Sequence, residues 1–219
     1  MSCSLVWLEP KAVDLQEFYK NEYRELYRPV MGQVIDAEES FQIYGSLIVE
    51  RVERVQPYLN QSMRVLEIGC GSGWFLDALE PFVGERVGVE FDESHAAYAR
   101  KRLGIEVYTN AMTATDHPKH AFDMIFASHV LEHVEDPLKF IQEMLEYLAP
   151  HGKIYIEVPN LDDALLSAYE VQEFADFYYV EPHLYYWTPK TFRAMMDRAG
   201  VGGSFRWSNG TAWQTIFTG

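Results

Sequence analysis

Short apolar runs alternate with segments of helical hydrophobic spacing along most of the chain. The short runs predict buried strands, and apolar residues repeated every three or four positions predict amphipathic helices. Because the connections are short, the alternation indicates a parallel sheet covered by helices on both faces. The predicted strands are 63–68, 86–91, 105–108, 122–127 and 152–158, and the predicted helices are 73–81, 93–103, 137–148 and 189–199.

The two ends of the chain carry other patterns. Before the first strand, the spacing of apolar residues predicts helices over 11–28 and 38–58. Near the other end, Asn209 and Gly210 separate two runs of alternating polarity, which is a strong signal for a β-hairpin. The chain is therefore expected to begin with helices and to end with an antiparallel pair of strands.

Three glycines follow the first predicted strand at every second position: Gly69, Gly71 and Gly73. Glycine tolerates positive φ and lets backbone N–H groups come close to a ligand. Glu67, just before them, suits a cationic ligand group and would repel a pyrophosphate. Glu90 closes the next strand, at the distance where nucleotide-binding sheets place a ribose-binding carboxylate. The G-x-G-x-G spacing and Glu67 together argue against an NAD or nucleotide-sugar site.

These segments resemble the class I S-adenosylmethionine (SAM)-dependent methyltransferases, in particular those acting on sugars and other small molecules. Residues 67–73 are similar to the first family motif, 88–90 to the second, 121–134 to the fourth-strand motif and 148–156 to the segment entering the fifth strand. The resemblance covers about residues 40–205. It implies a Rossmann-like, doubly wound α/β fold with seven mostly parallel strands, an antiparallel last strand, helices on both faces and an N-terminal helical extension.

By this resemblance the cofactor is SAM, and its demethylated form is the product. The glycine backbone would face the methionine part and the ribose, Glu67 would bind the amino group, and Glu90 would accept from the ribose hydroxyls. Near the adenine, Asn110 stands where the family often has an acidic residue, and Asp116 is the alternative. The expected cofactor-binding residues are Glu67, Gly69, Cys70, Gly71, Gly73, Glu90, Phe91, Asn110, Ala111 and Ser128.

Two histidines are the expected catalytic residues. His129 directly follows the fourth predicted strand, nearest the expected methyl group, and is a candidate general base. With Glu132 and His133 it could instead share one helix face as a metal site, but a local structural role for those two residues is favoured and no metal is expected. His183 lies in 181–189, which resembles a segment near the substrate in methyltransferases of sugars and small metabolites.

The chain is predicted to be one methyltransferase domain over residues 1–219. Residues 1–60 would form an N-terminal helical cap, and the acidic, tyrosine-rich stretch 160–187 would be an insertion on the substrate side. Three tyrosines on one face of the first helix would either pack on the core or cover the cofactor: Tyr19, Tyr23 and Tyr27.

The charge and the cysteine content limit the classes of binding partner and the compartment that we expect. The formal net charge is −15 and the pI is about 4.8, which argues against nucleic acid and against an anionic membrane surface. The two cysteines do not make a disulfide framework, and this fits a reducing cytoplasm. The sequence leaves a homodimer open.

The expected function is therefore SAM-dependent methyl transfer to a small-molecule acceptor. An oxygen acceptor is favoured because a histidine near the site suits a hydroxyl group at neutral pH. That this oxygen belongs to a sugar or related metabolite is implied by the resemblance of segment 181–189. Two alternatives remain: a SAM-binding subunit that is non-catalytic or regulatory, and a different SAM-dependent group transfer.

Overall fold

The structure is a computed structural model that describes residues 5–8, 35–179, 183–207 and 212–218, with the backbone alone beyond Gly202. The predicted helix over 11–28, with its three tyrosines, and the predicted Asn209-Gly210 turn lie outside the described residues. The predicted N-terminal helical extension is described from Ala37 onward, where it is helical.

Seven of the described strands form one sheet, and two short ones form a separate pair. In chain order the strands are β1 (Val6–Trp7), β2 (Arg64–Ile68), β3 (Glu85–Val89), β4 (Glu106–Tyr108), β5 (Phe122–Ser128), β6 (Leu148–Pro159), β7 (Tyr185–Tyr186), β8 (Gly202–Trp207) and β9 (Ala212–Thr218). The sheet order is β4-β3-β2-β5-β6-β9-β8, and only β9 runs antiparallel to its neighbours. The predicted mostly parallel sheet with an antiparallel last strand is confirmed.

Eight described helices accompany the strands: α1 (Ala37–Leu47), α2 (Val49–Val55), α3 (Trp74–Ala78), α4 (Glu93–Leu103), α5 (Pro137–Tyr147), α6 (Ala164–Ser167), α7 (Gln172–Tyr178) and α8 (Pro189–Arg198). Short 3₁₀ turns cover Gln56–Tyr58, Met112–Ala114 and Leu131–His133. The single helix predicted over 38–58 is therefore divided at Ile48 into α1 and α2.

Two features of the strands differ from the prediction. β6 begins at Leu148 rather than at residue 152, because Leu148 already pairs with Phe122 before an irregularity in the register. The turn-forming Pro150 and Gly152 hid this pairing in the sequence. The antiparallel pair of β1 and β7 was not predicted either, since two residues are too few to show a period.

Side chains of the central strands alternate between two hydrophobic cores. Met124 and Phe126 of β5 pack in a core that includes residues of α2 and α3. Ile125 and Ala127 point the other way, into a core that includes residues of α5 and α8. Because both faces are covered, polar groups are accessible mainly at the carboxyl ends of the parallel strands.

The glycine turn after β2 gives a test of the fold. Gly73 has φ +84°, and a Cβ there would lie 2.7 Å from Leu103 Cδ1 and 3.1 Å from Ala99 Cβ. Gly104 also has positive φ, +67°, but a Cβ there meets nothing within 4 Å. Left-handed strain costs each alanine about 1 kcal/mol, and the clash should cost Gly73→Ala roughly another 1 kcal/mol. Urea unfolding of both variants measures this difference; equal losses would contradict the close packing of α3 on α4.

Candidate active site

The glycine turn folds back tightly on the end of β3. The N–H groups of Gly69 and Cys70 both donate to the Val89 carbonyl, at 2.8 and 3.1 Å. Gly69, Gly71 and Gly73 all have positive φ. A Cβ at Gly71 would clash with the indole of Trp74, so that ring covers the turn. The three glycines therefore form the tight turn that the sequence predicted at this strand end, and its contact with a ligand stays a prediction.

Glu90 is fixed against the same turn. One carboxylate oxygen accepts from Gly71 N–H at 2.8 Å, and the other accepts from Asp92 N–H at 2.9 Å. Asp92 in turn caps α4 by accepting from Ser94 N–H at 2.9 Å. The carboxylate is therefore oriented by the backbone, with lone pairs left for hydroxyl donors.

Glu67 is a buried carboxylate that lacks a full set of partners. Its side chain is 3% exposed, and Oε2 has no hydrogen-bond partner among the described residues. Burial, opposed by the charge of Arg51 and reinforced by that of Glu90, raises its pKa to about 8. An ammonium group placed here would satisfy the carboxylate, so the site fits the amino group of a ligand such as SAM.

The expected adenine side is more open. Phe91 packs partly against the main core, whereas Asn110, Ala111 and Asp116 are exposed. Both candidates for the adenine amino group therefore remain accessible, and the choice between Asn110 and Asp116 stays a prediction. Ser128, at the end of β5, has a buried hydroxyl without a hydrogen-bond partner among the described residues.

A charged network lies on the same face of the sheet as Glu67. Arg51 of α2 donates to Glu157 at 2.8 Å, and the Tyr155 hydroxyl donates to the same oxygen at 3.0 Å. Burial alone would raise the pKa of Glu157, but His129 and Arg51 hold it well below its usual range. The network links α2 to the carboxyl end of β6.

His129 lies between two carboxylates. Its Nε2 is 3.5 Å from Glu157 Oε1, and its Nδ1 is 3.5 Å from Glu132 Oε1. Desolvation would lower its pKa, but contacts with Glu132 and Glu157 outweigh it and raise the pKa to about 9. The imidazole therefore carries a proton at neutral pH in this arrangement, which disfavours the expected role as a general base.

Next to His129 is a compact cluster of polar side chains. Glu132 is fully buried, His133 is 6% exposed, and the His133 and His183 rings lie 4.8 Å apart. The Tyr178 hydroxyl is also buried, without a hydrogen-bond partner among the described residues. Burial lowers the pKa of His183 to about 4, so its imidazole is neutral. Among the described residues, Glu132, His133 and His183 form the group that could hold a metal ion.

The structure thus brings both expected catalytic histidines close to Glu132. Sequence reasoning missed Arg51, Tyr155, Glu157 and Tyr178. Glu157 could have been found, because it lies near the end of β6 in register with Ser128, the last residue of β5. Arg51 gave no such signal, since a charged residue on a helix near a chain end usually faces solvent.

A family model described as "Methyltransferase domain" matches residues 41–201. A protein of Mycolicibacterium smegmatis named "Probable S-adenosylmethionine-dependent methyltransferase" is 28% identical over 97 residues, covering 44% of this chain and 38% of that protein. The ubiquinone biosynthesis O-methyltransferase of Bradyrhizobium diazoefficiens is 30% identical over 103 residues, covering 45% and 40%.

The relatives differ in their named substrates. The tRNA U34 carboxymethyltransferase of Hydrogenovibrio crunogenus is 31% identical over 125 residues, covering 51% of this chain and 37% of that protein. The chain therefore spans about two fifths of the length of these three relatives. Among solved structures, a SAM-dependent methyltransferase from Archaeoglobus fulgidus has a TM-score of 0.64 and 20% identity. The match covers 83% of this chain and 97% of that one. This last likeness concerns the fold.

Among the described residues, no helix combines the length and the apolar character that a membrane-spanning segment requires.

Proposed function

Since the chain belongs to the family of methyltransferase domains, we propose that it transfers a methyl group from SAM to a small-molecule acceptor. The favoured acceptor atom is an oxygen of a sugar or related metabolite. The main structural support for SAM as the cofactor is Glu67, a buried carboxylate with an unpartnered oxygen beside the glycine turn.

The described residues divide the work of holding the cofactor. Glu67 would bind the amino group, the backbone from Gly69 to Gly73 would lie along the methionine part and ribose, and Glu90 would accept from the ribose hydroxyls. Phe91 and either Asn110 or Asp116 would border the adenine. SAM, when bound, supplies an electrophilic methyl group. The protein's part is then to align an acceptor with that group and to exclude water.

The acceptor side is proposed to lie at the buried polar cluster next to His129. A hydroxyl acceptor must lose a proton during transfer, and polar groups positioned near it assist that loss. His183 is favoured over His129 for contact with the acceptor, because His183 Nδ1 has no hydrogen-bond partner among the described residues, whereas His129 lies between two carboxylates. The named activity of the ubiquinone-pathway relative, an O-methyltransferase, supports an oxygen acceptor.

Residues 160–187 are proposed to provide the substrate-specific part of this side. α6 and α7 lie within them, and Tyr178 of α7 contacts the Tyr186 ring at a centroid distance of 5.7 Å. Asn160 forms a bridge with Trp187, so the two ends of the stretch meet next to the sheet. An insertion anchored in this way can vary in its middle without disturbing the cofactor side.

The proposal is tested first by binding and then by product. Isothermal titration of the full chain should show one saturable site each for SAM and for its demethylated product. Mass spectrometry of a reaction panel should then show methylated sugars or small hydroxyl compounds. Absence of SAM binding would overturn the proposal as a whole.

Two other outcomes would identify the alternatives. SAM binding without turnover on the panel would favour a non-catalytic or regulatory subunit. A transferred group heavier than methyl would indicate another SAM-dependent transfer, as the name of the carboxymethyltransferase relative suggests. Including tRNA and its nucleosides in the panel tests the acceptor class directly.

A further inference from the structure

Glu132 is an acidic side chain that is fully buried without hydrogen-bond partners for either carboxylate oxygen among the described residues. Two imidazole nitrogens lie near Oε1: His129 Nδ1 at 3.5 Å and His133 Nε2 at 3.9 Å. Both distances exceed those of strong charge-assisted bonds. The imidazole of His129 therefore meets Oε1 only at 3.5 Å, and Oε2 has no close partner among the described residues, so the carboxylate can accept a second cation.

His183 has a free nitrogen that faces the same place. Its Nδ1 is buried without a hydrogen-bond partner among the described residues, while the ring also hydrogen-bonds to the Tyr178 backbone. A buried imidazole nitrogen without a partner, close to a buried carboxylate, is a candidate metal ligand, and a hydrogen bond on the rest of the ring would help to orient it.

The backbone joins the two segments that carry these side chains. Glu132 and His133 belong to the 3₁₀ turn after β5, and His183 comes just before β7. The Leu184 N–H donates to the Glu132 carbonyl at 2.7 Å, which locks the segments together next to the cluster. The Tyr185 hydroxyl adds a bond to the Glu135 carbonyl at 2.8 Å. These two bonds fix the positions of the two segments relative to each other.

We propose that Glu132, His133 and His183 bind one divalent transition-metal ion of the zinc type. One ligand atom from each lies within 4.8 Å of the other two. Ions of this type bind imidazole nitrogen and carboxylate oxygen at about 2.0–2.2 Å, which places tetrahedral ligand atoms roughly 3.4 Å apart, so the three side chains would have to move inward to hold one ion. This proposal differs from the sequence analysis, which expected no metal.

Three protein ligands leave a coordination position open. An oxygen of water or of a hydroxyl acceptor can occupy it, and His183 would then reach the acceptor through the ion. The site itself does not depend on the acceptor or on the proposed reaction. His129 is not needed as a ligand, because its two ring nitrogens already face Glu132 and Glu157.

Cobalt absorption tests the site without any reaction. The full chain, stripped with chelator, is titrated with Co²⁺, and visible absorption reports coordination by histidine. We expect one Co²⁺ per chain, displaced by Zn²⁺, with an affinity at least about tenfold weaker in His183→Ala and Glu132→Gln. His151→Asn is the matched control, because His151 is exposed and has φ +66°, which asparagine tolerates.

Two measurements keep the result interpretable. Thermal melts without metal show whether each variant is folded, and SAM titration of each variant reports the cofactor side separately. A Co²⁺ spectrum that is lost in His129→Asn but kept in His183→Ala would overturn the assignment. It would indicate instead that the ligands are His129, Glu132 and His133. Absence of saturable Co²⁺ binding by the folded wild-type chain would overturn the metal site while leaving the proposed methyl transfer intact.

Discussion

Glu67→Gln is expected to weaken SAM binding about 10- to 100-fold. The buried carboxylate would meet the amino group of SAM in a charge-assisted hydrogen bond, and such bonds contribute roughly 1.5–3 kcal/mol. A neutral amide keeps the shape and loses the charge. Isothermal titration of the variant measures the change. Glu53→Gln, which alters an exposed acid of α2, is the matched control and should bind SAM like the wild type.

The same substitution is expected to stabilise the ligand-free protein. Burial raises the pKa of Glu67 from 4.5 to about 8, with Arg51 opposing and Glu90 adding to the shift. Because the folded pKa lies above the unfolded one, the stability that Glu67 contributes is present below pH 4.5 and is lost as pH rises toward 8. Over this window the wild type should lose roughly 5 kcal/mol relative to Glu67→Gln.

Urea unfolding at both ends of that pH window gives the test. The two proteins should have similar unfolding free energies at the acid end and diverge at the alkaline end. SAM affinity of the wild type should rise across the same window, since the cofactor needs the ionised carboxylate. Parallel pH profiles for the two proteins would show that Glu67 does not titrate in this range, and would remove the electrostatic argument for its role.

Much of the sheet could be predicted because the local sequence determines where each strand lies. Each central strand is a short apolar run bounded by turn residues, and Asp136 and Thr188 start α5 and α8 by accepting from backbone N–H groups, as their sequence context indicates. The glycine turn was predictable for the same reason, since its positive φ values require glycine. Boundaries failed where pairing across strands decided them, as at Leu148.

The cofactor side and the acceptor side differ in how much the sequence shows. Glu67 and Glu90 lie near the glycines in sequence, so spacing alone places them. The acceptor side is assembled from distant segments: His183 meets His133 across fifty positions, and Arg51 meets Glu157 across 106. Only the tertiary fold makes these pairs, and a single sequence without strand register does not reveal them.

Arg51→Met is expected to destabilise the protein by about 3 kcal/mol. The substitution keeps the length of the buried stem and removes the guanidinium, which donates to Glu157 at 2.8 Å. Glu157 would then be buried with only Tyr155 and His129 as partners, and removing one member of a buried ion pair costs roughly 3–5 kcal/mol. Glu67 would lose its stabilising charge as well, which raises its pKa further.

A double-mutant cycle separates this pair from general packing. Arg51→Met with Glu157→Gln should be more stable than the sum of the single losses by about 1–3 kcal/mol, because the second change removes the stranded charge. Lys139→Met is the matched control: Lys139 is 71% exposed and lies 3.7 Å from Glu143, so its loss should cost at most about 0.5 kcal/mol. Additive losses in the cycle would mean that Arg51 acts through another contact, such as that of its guanidinium with Phe75, whose ring centroid lies 5.7 Å from Cζ, and not through Glu157.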